Sequence, residues 1–286
     1  MAAMTYHALQ RMKYSWKLDH GKRVSLDDYD PGYRAHLAKS DAKPLFKDLS
    51  HTLGDLQELC YAAAEHAVLL VLQGMDTSGK DGTIKHVMDS VNPQGCRVTS
   101  FKPPTEDERA HDFLWRVHAH TPAQGLIAIF NRSHYEDVLV PRVHQLVPEA
   151  TWQARFEHIN AFERLLSDSG TIVVKCFLHI GKDEQALRFK AREEEADKRW
   201  KLDPQDYEER RLWPEYRRAY EDVLEKCSTS YAPWYVVPAD HKWFRNLAVA
   251  EVLVEALSPY EDTWRKALRE RGRRAYEKVL AARKGD

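Results

Sequence analysis

A glycine-rich segment, GMDTSGKDGTIK at residues 74–85, carries the residue types that bind phosphate. It follows an aliphatic run and precedes a stretch with helical spacing, which is the context that a phosphate-binding loop (P-loop) requires. Its glycines would let successive backbone N–H groups converge on phosphate oxygens, while Lys80 adds a positive charge at a helix N-terminus. The segment therefore predicts phosphoryl chemistry.

Two carboxylates in this loop need an explanation, because a cradle for anions has no use for negative charge by itself. Asp81 stands where such loops normally carry the Ser or Thr hydroxyl that ligates Mg²⁺. Asp76 should lie at the lip of the loop, where a hard divalent cation is its natural partner. For Asp81, charge complementing the helix N-terminus is favoured over direct ligation. We therefore expect Asp76 to hold a metal ion.

A second candidate segment, IAIFNRSHYEDVLVPRV at residues 127–143, begins as a strand. Phosphoryl-transfer enzymes often place an acid at such a strand end to hold Mg²⁺, but here Asn131 occupies the position and Glu136 and Asp137 follow. One of these acids could face the loop across the strand tips, and helix capping is the alternative for both. Arg132 suits phosphate better than a core position, because its guanidinium can hold two oxygens at once.

The elements that must position these residues are visible as aliphatic runs alternating with segments of helical spacing. This alternation indicates an α/β fold in which helices cover both faces of a parallel sheet. We predict five strands, at residues 67–73, 97–101, 125–130, 171–178 and 234–237.

Two regions fall outside this core. Residues 1–66 are predicted to form an N-terminal helical extension packed on a phosphotransferase domain at residues 67–286. Within that domain, residues 181–226 are highly charged and helical in pattern, which is also typical of a solvated helix pair laced with ion pairs. Their position after the fourth strand favours a mobile lid, whose Arg188 would meet phosphates on closure.

The composition excludes several classes of function. The 286 residues carry 43 basic and 44 acidic side chains, so any polyanion must be captured locally, which disfavours a nucleic-acid-binding protein. The cysteines and histidines lack the spacing of a zinc site. The longest aliphatic run, residues 67–72, is too short to cross a bilayer, and the start lacks the apolar core of a signal peptide, so we expect a cytoplasmic protein without a membrane partner.

Four motifs together resemble the family-2 polyphosphate kinases, and the likeness extends from about Tyr14 to the final helix. The motifs are GMDTSGKDGTIKHV, SFKPPTEDERAHDFLWRVH, FNRSHYEDVLV and YAPWYVVPADHKWFRNLAVAEVL. The resemblance implies a P-loop kinase core of the thymidylate-kinase type with a helical lid. It also implies phosphoryl transfer between inorganic polyphosphate and a nucleotide with Mg²⁺, for which Mn²⁺ could substitute, in a homo-oligomer, either dimer or tetramer.

The resemblance also implies roles for individual residues. Asp76 and Asp137 match the functional pair that holds metal and reacting phosphates, Lys80 and Arg132 match phosphate-binding residues, and we assign these four as catalytic. The remaining phosphate- and nucleotide-binding candidates are Gly74, Thr77, Ser78, Gly79, Asp81, Gly82, Thr83, Lys102, Asn131, Glu136, Lys175 and Arg188.

The combination of GKDG with NRSHYEDV looks like the subgroup that accepts both AMP and ADP, whereas many members carry Asp at position 131 and Gly at position 81. The expected reactions are AMP to ADP and ADP to ATP, both reversible, with guanine nucleotides as further candidate substrates. The alternatives are an ATP-dependent nucleoside or nucleoside-monophosphate kinase and a non-catalytic polyphosphate-binding protein. Asp81 counts against the first, because it removes the hydroxyl that normally ligates Mg²⁺ beside ATP.

Overall fold

A computed structural model describes residues 14–283 and contains one six-stranded sheet in the order β1-β6-β5-β2-β4-β3. Strands β2 to β6 are parallel, and β1 pairs with β6 in the antiparallel direction. The strands are β1 Trp16–Lys17, β2 Ala67–Gln73, β3 Cys96–Ser100, β4 Ile127–Asn131, β5 Thr171–His179 and β6 Trp234–Pro238. The predicted α/β fold is confirmed. The sheet has one strand more than predicted, because β1 is too short to produce an aliphatic run.

Strand β2 lies at the centre of the sheet, and all seven of its residues are buried. Its aliphatic sequence, AVLLVLQ, suits a strand covered on both faces. The chain leaves β2 for the edge strand β3 and returns through β4, while β5 occupies the other side of β2. The connections therefore diverge at the carboxyl end of β2, which is where open α/β sheets bind their ligands.

Helices cover both faces of this sheet. They are α1 Lys39–Ala63, α2 Lys80–Val87, α3 Glu106–Arg109, α4 Trp115–His118, α5 Glu136–Val143, α6 Glu149–Asp168, α7 Lys182–Glu194, α8 Pro204–Arg211, α9 Trp213–Cys227, α10 Lys242–Leu257 and α11 Glu261–Arg283. No helix within residues 14–283 is long and apolar enough to span a membrane.

The most buried helix is α10, which contacts α1, α2, β5 and β6. Twelve of its sixteen residues are buried, as expected for a helix that is apolar on nearly all sides. Helix α1 lies across α10 and α11, and β1 adds to the sheet at β6. The part of the predicted N-terminal extension that the structure describes is thus packed on the core, while the boundary at residue 66 stays a prediction.

The predicted lid, residues 181–226, contains α7, α8 and most of α9. Helix α9 packs against α5 and α6, and it buries Tyr220, Val223 and Leu224. Arg142 of α5 donates a hydrogen bond of 2.6 Å to Asp222 of α9. Helix α9 is therefore anchored to the core, whereas α8 buries no residue completely. The predicted lid movement would therefore involve α7 and α8, and it stays a prediction.

Candidate active site

A cleft of about 1080 Å³ opens at the carboxyl ends of β2 and β4, between the P-loop and helices α7 to α9. Twelve of the sixteen predicted site residues line it. They are Gly74, Asp76, Thr77, Gly79, Lys80, Asp81, Gly82, Lys102, Asn131, Arg132, Glu136 and Arg188. The remaining four are Ser78, Thr83, Asp137 and Lys175. The parallel sheet thus brings most of the candidates together, because parallel strands end at one edge.

Two glycines shape the loop in ways that other residues would not allow. Gly74 has φ of +151°, and a Cβ there would lie 2.6 Å from the carbonyl oxygen of Leu178 in β5. Gly79 has φ of +100°, and its Cβ would lie 1.8 Å from Nη1 of Arg245 in α10. Both positions therefore require glycine, by backbone conformation and by the close approach of neighbouring atoms.

Lys80 begins helix α2, and its side chain returns over the loop. Its Nζ donates hydrogen bonds to the carbonyl oxygens of Gly74 at 2.8 Å and Met75 at 3.4 Å. Burial lowers the pKa of Lys80, and the Arg132 guanidinium nearby lowers it further, against the neighbouring carboxylates. An anion in the cleft would offset both effects. Lys80 is therefore placed to bind a phosphate group that lies against the loop.

A charged trio of Asp76, Arg132 and Glu136 lies beside Lys80. Arg132 Nη2 donates to Asp76 Oδ1 at 2.8 Å, and Arg132 Nη1 lies 3.6 Å from Glu136 Oε2. Glu136 and then Asp76 raise the pKa of Arg132, while burial raises the pKa of Glu136 against the attraction of Arg132 and Lys80. Two carboxylates and one guanidinium thus share a partly desolvated site with a phosphate-binding lysine.

These residues fit a magnesium ion that takes only part of its ligands from the protein. Asp76 and Glu136 offer the hard oxygen donors that Mg²⁺ prefers. No group of three or more acidic, histidine or cysteine side chains that could hold a metal occurs within the described residues. Magnesium commonly binds in this way, through one or two carboxylates, with water and substrate phosphates completing its octahedron. The hydroxyls of Thr77, Ser78 and Thr83 are buried without a hydrogen-bond partner in residues 14–283.

Asp81 and Asn131, the two positions that depart from the commoner pattern, contact each other. Asn131 Nδ2 at the end of β4 donates a hydrogen bond of 2.6 Å to Asp81 Oδ1 in the first turn of α2. The carboxylate of Asp81 therefore has both a helix N-terminus and an amide donor to stabilise it. This agrees with the interpretation of Asp81 as a helix N-terminal charge.

Asp137 faces away from this group. Its Oδ2 lies 3.5 Å from Nη2 of Arg116, its carbonyl oxygen accepts a hydrogen bond from Arg155, and only 15% of its side chain is exposed. Burial raises the pKa of Asp137 against the attraction of Arg116. Of the two acids in the first turn of α5, Glu136 lines the cleft and Asp137 does not. Metal binding by Asp137 stays a prediction, and in this arrangement Glu136 is the better placed partner of Asp76.

The structure contradicts the prediction that Lys175 binds phosphate or nucleotide. Lys175 is fully buried in the middle of β5 and forms an ion pair of 2.5 Å with Glu163 of α6. Residues along a strand alternate between the two faces of a sheet, and the strand sequence TIVVKCFLH does not show which side chains Lys175 would contact. Its three ammonium hydrogens are used within the core, as described below.

Arg188 reaches the loop, but its guanidinium binds protein atoms. Nη1 donates to the carbonyl oxygens of Thr77 at 2.8 Å and Ser78 at 3.2 Å, and Nη2 donates to those of Ala239 and Asp240. Nε donates to Glu184 at 2.7 Å. Arg188 therefore ties helix α7 to the P-loop and to the end of β6. Contact with phosphate stays a prediction that would require some of these bonds to break.

Sequence reasoning missed Arg245, which supports the loop from α10. Its side chain is 2% exposed, and Nη1 donates to the carbonyl oxygen of Ser78 at 3.1 Å. Burial, and then the charge of Arg188, lower its pKa. The available signal was a cation in the apolar helix sequence KWFRNLAVAEVL, because a buried charge is usually paired or functional.

Two further groups that sequence reasoning missed lie on the lid side of the cleft. Gln185 Nε2 donates to the carbonyl oxygen of Asp76 at 3.0 Å and Arg210 Nη1 donates to Gln185 Oε1 at 2.7 Å, which connects α8 to the loop. Trp200 is 78% exposed at the mouth of the cleft. The signal in the sequence was a tryptophan within the charged segment ADKRWK, since a large apolar side chain exposed there would indicate a binding surface.

Comparison with known proteins gives a consistent result. The family model described as "Polyphosphate kinase 2 (PPK2)" matches residues 36–265. An AMP/ADP-polyphosphate phosphotransferase of Meiothermus ruber is 52% identical, over 82% of this chain and 89% of that protein. An ADP-polyphosphate phosphotransferase of Rhodopseudomonas palustris is 43% identical, over 85% of this chain and 88% of that protein.

A solved structure agrees with these relatives. The crystal structure of polyphosphate kinase 2 from Arthrobacter aurescens TC1 superposes with a TM-score of 0.81 at 41% identity, covering 85% of this chain and 91% of that chain. The resemblance inferred from the four sequence motifs is confirmed by these matches. The family model matches most of the chain, and two relatives are 52% and 43% identical to it over 82% and 85% of its length. This chain therefore belongs to the polyphosphate kinase 2 family.

Proposed function

We propose that this protein transfers phosphoryl groups between inorganic polyphosphate and adenine nucleotides, converting AMP to ADP and ADP to ATP. The observation that carries the proposal is that Lys80 and Arg132 share one cleft with Asp76 and Glu136. Cations alone would suit anion binding, and the added carboxylates suit a metal-assisted transfer between two anions. The names of the relatives from Meiothermus ruber and Rhodopseudomonas palustris support this substrate class.

The principal barrier to such a transfer is repulsion between two phosphate chains, since the attacking nucleotide oxygen is already largely ionised near neutral pH. A strong general base is therefore not required. A magnesium ion, when bound, would neutralise donor and acceptor oxygens together and hold them in line. Asp76 and Glu136 are the carboxylates placed to hold it, and Asp137 stays a further candidate.

The protein's own cations complete the electrostatics. The N–H groups of the P-loop and Lys80 would bind the phosphoryl group in transit, while Arg132 stabilises the charge that spreads over its oxygens. Each such preorganised donor contributes on the order of 3 kcal/mol to transition-state stabilisation in comparable sites. Arg188 and Arg245 act on the loop carbonyls, which keeps the loop N–H groups available for phosphate.

The cleft is also suited to a long anion. Besides the loop residues, it is lined by six further cations, which outnumber the lining carboxylates Asp203, Asp206 and Glu209. The cations are Lys102, Arg192, Lys198, Lys201, Arg210 and Lys242. The net charge of the whole chain is only −1, so this local concentration of positive charge is what would attract polyphosphate. We propose that the polymer follows these side chains, and that nucleotide and polymer meet at the loop.

Several finer properties belong to the same proposal. The reaction would be reversible, because a phosphoanhydride bond is both broken and formed. Mn²⁺ would replace Mg²⁺, since it accepts similar oxygen ligands. A homo-oligomer would form through surfaces such as the exposed apolar side chains Tyr276, Val279 and Leu280 of α11. Guanine nucleotides are further candidate substrates. A cytoplasmic location would give the protein access to nucleotides, polyphosphate and Mg²⁺.

The deciding experiment is ATP formation without an ATP donor. The protein is incubated with ADP, Mg²⁺ and long-chain polyphosphate, and ATP is measured by luciferase, with a parallel reaction starting from AMP and Asp76→Ala as control. ATP from ADP, and ADP from AMP, would support the proposal. Phosphorylation only with ATP as donor would indicate an ordinary nucleotide kinase. Polyphosphate binding without turnover would indicate a non-catalytic binding protein.

A further inference from the structure

A fully buried polar cluster lies behind the candidate active site. It consists of Lys175 in β5, Glu163 in α6, and His134 and Tyr135 in the turn between β4 and α5, all of which are 0% exposed. We name it the Lys175 cluster. None of its side chains lines the cleft among the described residues. The proposed chemistry therefore leaves two buried charges without a role.

Lys175, Glu163 and Tyr135 satisfy one another's hydrogen bonds, whereas Nδ1 of His134 is buried without a partner in residues 14–283. Lys175 Nζ donates to Glu163 Oε2 at 2.5 Å, to the Tyr135 hydroxyl at 2.9 Å and to the carbonyl oxygen of Cys227 at 2.7 Å. Tyr135 in turn donates to Glu163 Oε1 at 2.8 Å, and His134 Nε2 lies 3.2 Å from the same oxygen. The ammonium of Lys175 counters the effect of burial and lowers the pKa of Glu163.

Burying such a cluster has a high cost in desolvation free energy compared with an apolar core. Removing two charges from water costs several kcal/mol per ion, and well-packed apolar residues are often equally stabilising. What the hydrogen-bonded trio of Lys175, Glu163 and Tyr135 provides instead is a defined geometry for the segments that carry it. The Lys175 cluster connects β5, α6 and the C-terminus of α9 to a single turn, residues 132–136, which also carries two cleft residues.

The position of the cluster within that turn is specific. His134 and Tyr135 point into the core, while Arg132 and Glu136 on either side of them point into the cleft. Arg132 has φ of +61°, a left-handed conformation that a non-glycine residue adopts only when its surroundings impose it. The Glu136 N–H donates to the carbonyl oxygen of Ser133 at 3.0 Å and so closes the turn.

A second set of bonds links this turn to the strand that precedes the P-loop. Gln73, the last residue of β2, donates from Nε2 to the Ser133 hydroxyl at 3.1 Å, and the same hydroxyl accepts from the Tyr135 N–H at 3.2 Å. The Gln73 side chain also lowers the pKa of the Glu136 carboxyl, against burial, which raises it. The turn is thus fixed on one side by the Lys175 cluster and on the other by the loop-bearing strand.

We propose that Lys175, Glu163 and Tyr135 are positioning residues, which hold the 132–136 turn so that Arg132 and Glu136 face the P-loop. The inference rests on the proposed function, because its consequence is a rate of phosphoryl transfer. The side chains of the cluster touch neither substrate nor metal. They act through the turn, and loosening it would misalign groups that must lie within a few tenths of an ångström of their productive positions.

The primary test is Tyr135→Phe, which removes one hydroxyl and keeps the ring. We expect kcat for ATP formation to fall ~10- to 100-fold, while KM for ADP and polyphosphate stays within about threefold of the wild-type value. The matched control is Tyr231→Phe, which removes a hydroxyl that donates to the carbonyl oxygen of Asn160 in the same helix, α6, at 2.9 Å. This control should retain kcat within about twofold, whatever it does to the melting temperature.

A double variant separates positioning from stability. Lys175→Met alone leaves Glu163 buried without its partner and should lower the melting temperature, whereas Lys175→Met with Glu163→Leu removes both charges and should recover it. We expect the double variant to fold with kcat still reduced at least ~10-fold. Wild-type kcat in both Tyr135→Phe and the double variant would overturn the inference and assign the cluster a structural role only.

A measurement independent of turnover distinguishes this inference from the proposed function. Amide hydrogen exchange at residues 132–137 should be faster in Tyr135→Phe than in wild type, and unchanged in Tyr231→Phe. An inactive wild-type enzyme would refute the proposed function, and the exchange data would still decide whether the cluster holds the turn. Unchanged exchange in Tyr135→Phe would count against the inference even if the wild type is active.

Discussion

The loop geometry makes Gly79→Ala the most informative single substitution. Gly79 has φ of +100°, and a Cβ at this position would lie 1.8 Å from Arg245 Nη1 and 2.7 Å from Arg245 Cζ. Arg245 cannot turn outward without cost, because it is 2% exposed and donates to the Ser78 carbonyl oxygen at 3.1 Å. Either the loop or the arginine must therefore move.

The magnitude follows from two contributions. Placing a Cβ in left-handed backbone costs about 1–2 kcal/mol. Displacing Arg245 from the Ser78 carbonyl removes a charged hydrogen bond in a buried site, which is worth about 1.5–3 kcal/mol. Together they amount to roughly 3–5 kcal/mol against the observed loop, which lowers the population of a phosphate-binding loop by about 10²- to 10⁴-fold. We expect kcat/KM for polyphosphate to fall by that factor.

The assay is luciferase-coupled ATP formation from ADP and polyphosphate, with melting temperatures measured in parallel. Gly272→Ala is the control, since its added Cβ meets no atom within 4 Å in the described part of the chain, and the variant should keep wild-type activity. Adding Arg245→Ala to Gly79→Ala removes the clash and leaves the backbone term, so the two changes should not be additive. Wild-type kcat/KM in Gly79→Ala would refute the reasoning.

Three other predictions concern charged groups. Lys80→Met should lower kcat/KM roughly 100-fold, because it removes a donor worth ~3 kcal/mol, whereas Lys85→Met on the exposed face of the same helix should change it less than about twofold; equal losses would contradict the loop assignment. Asp76→Ala should abolish transfer without unfolding the protein, as judged by circular dichroism, and retained activity would remove its role as a metal anchor. For Glu251, burial raises the pKa to about 8, so the folded state keeps a proton that the unfolded state releases near pH 4.5. Stability should therefore fall as pH rises from about 4.5 to 8, and Glu251→Gln should flatten this dependence, by a difference on the order of 4 kcal/mol at pH 8; parallel melting curves for wild type and variant would disprove it.

The sequence was sufficient for features that depend on local order along the chain. Aliphatic runs bounded by turn residues located β2 to β6 within three residues at each end, because a strand buried on both faces needs apolar side chains throughout. The P-loop was equally evident, since its glycines are required by backbone conformation that no other residue adopts cheaply. Strand β1, only two residues long, left no such pattern.

The adjacent acids Glu136 and Asp137 show what the local sequence could not predict, namely which of two neighbouring side chains faces the P-loop. Glu136 and Asp137 both begin α5, and successive helical residues point about 100° apart. Either could have faced the loop. Arg116, brought from α4, pairs with Asp137, and the 132–136 turn directs Glu136 to Arg132. Which of the two acids faces the loop is therefore decided by contacts with residues outside helix α5.

The sequence by itself determined the fold class, the loop and the edge of the sheet at which chemistry would occur. Only the tertiary structure decided what each cation does, because a cation's role is set by whichever oxygen lies nearest once the chain is folded. Lys175 meets a buried carboxylate from α6, Arg188 meets loop carbonyls 111 residues earlier in the chain, and Arg245 meets one 167 residues earlier. Contacts over such separations are fixed by packing of whole elements, and no spacing along the sequence encodes them directly.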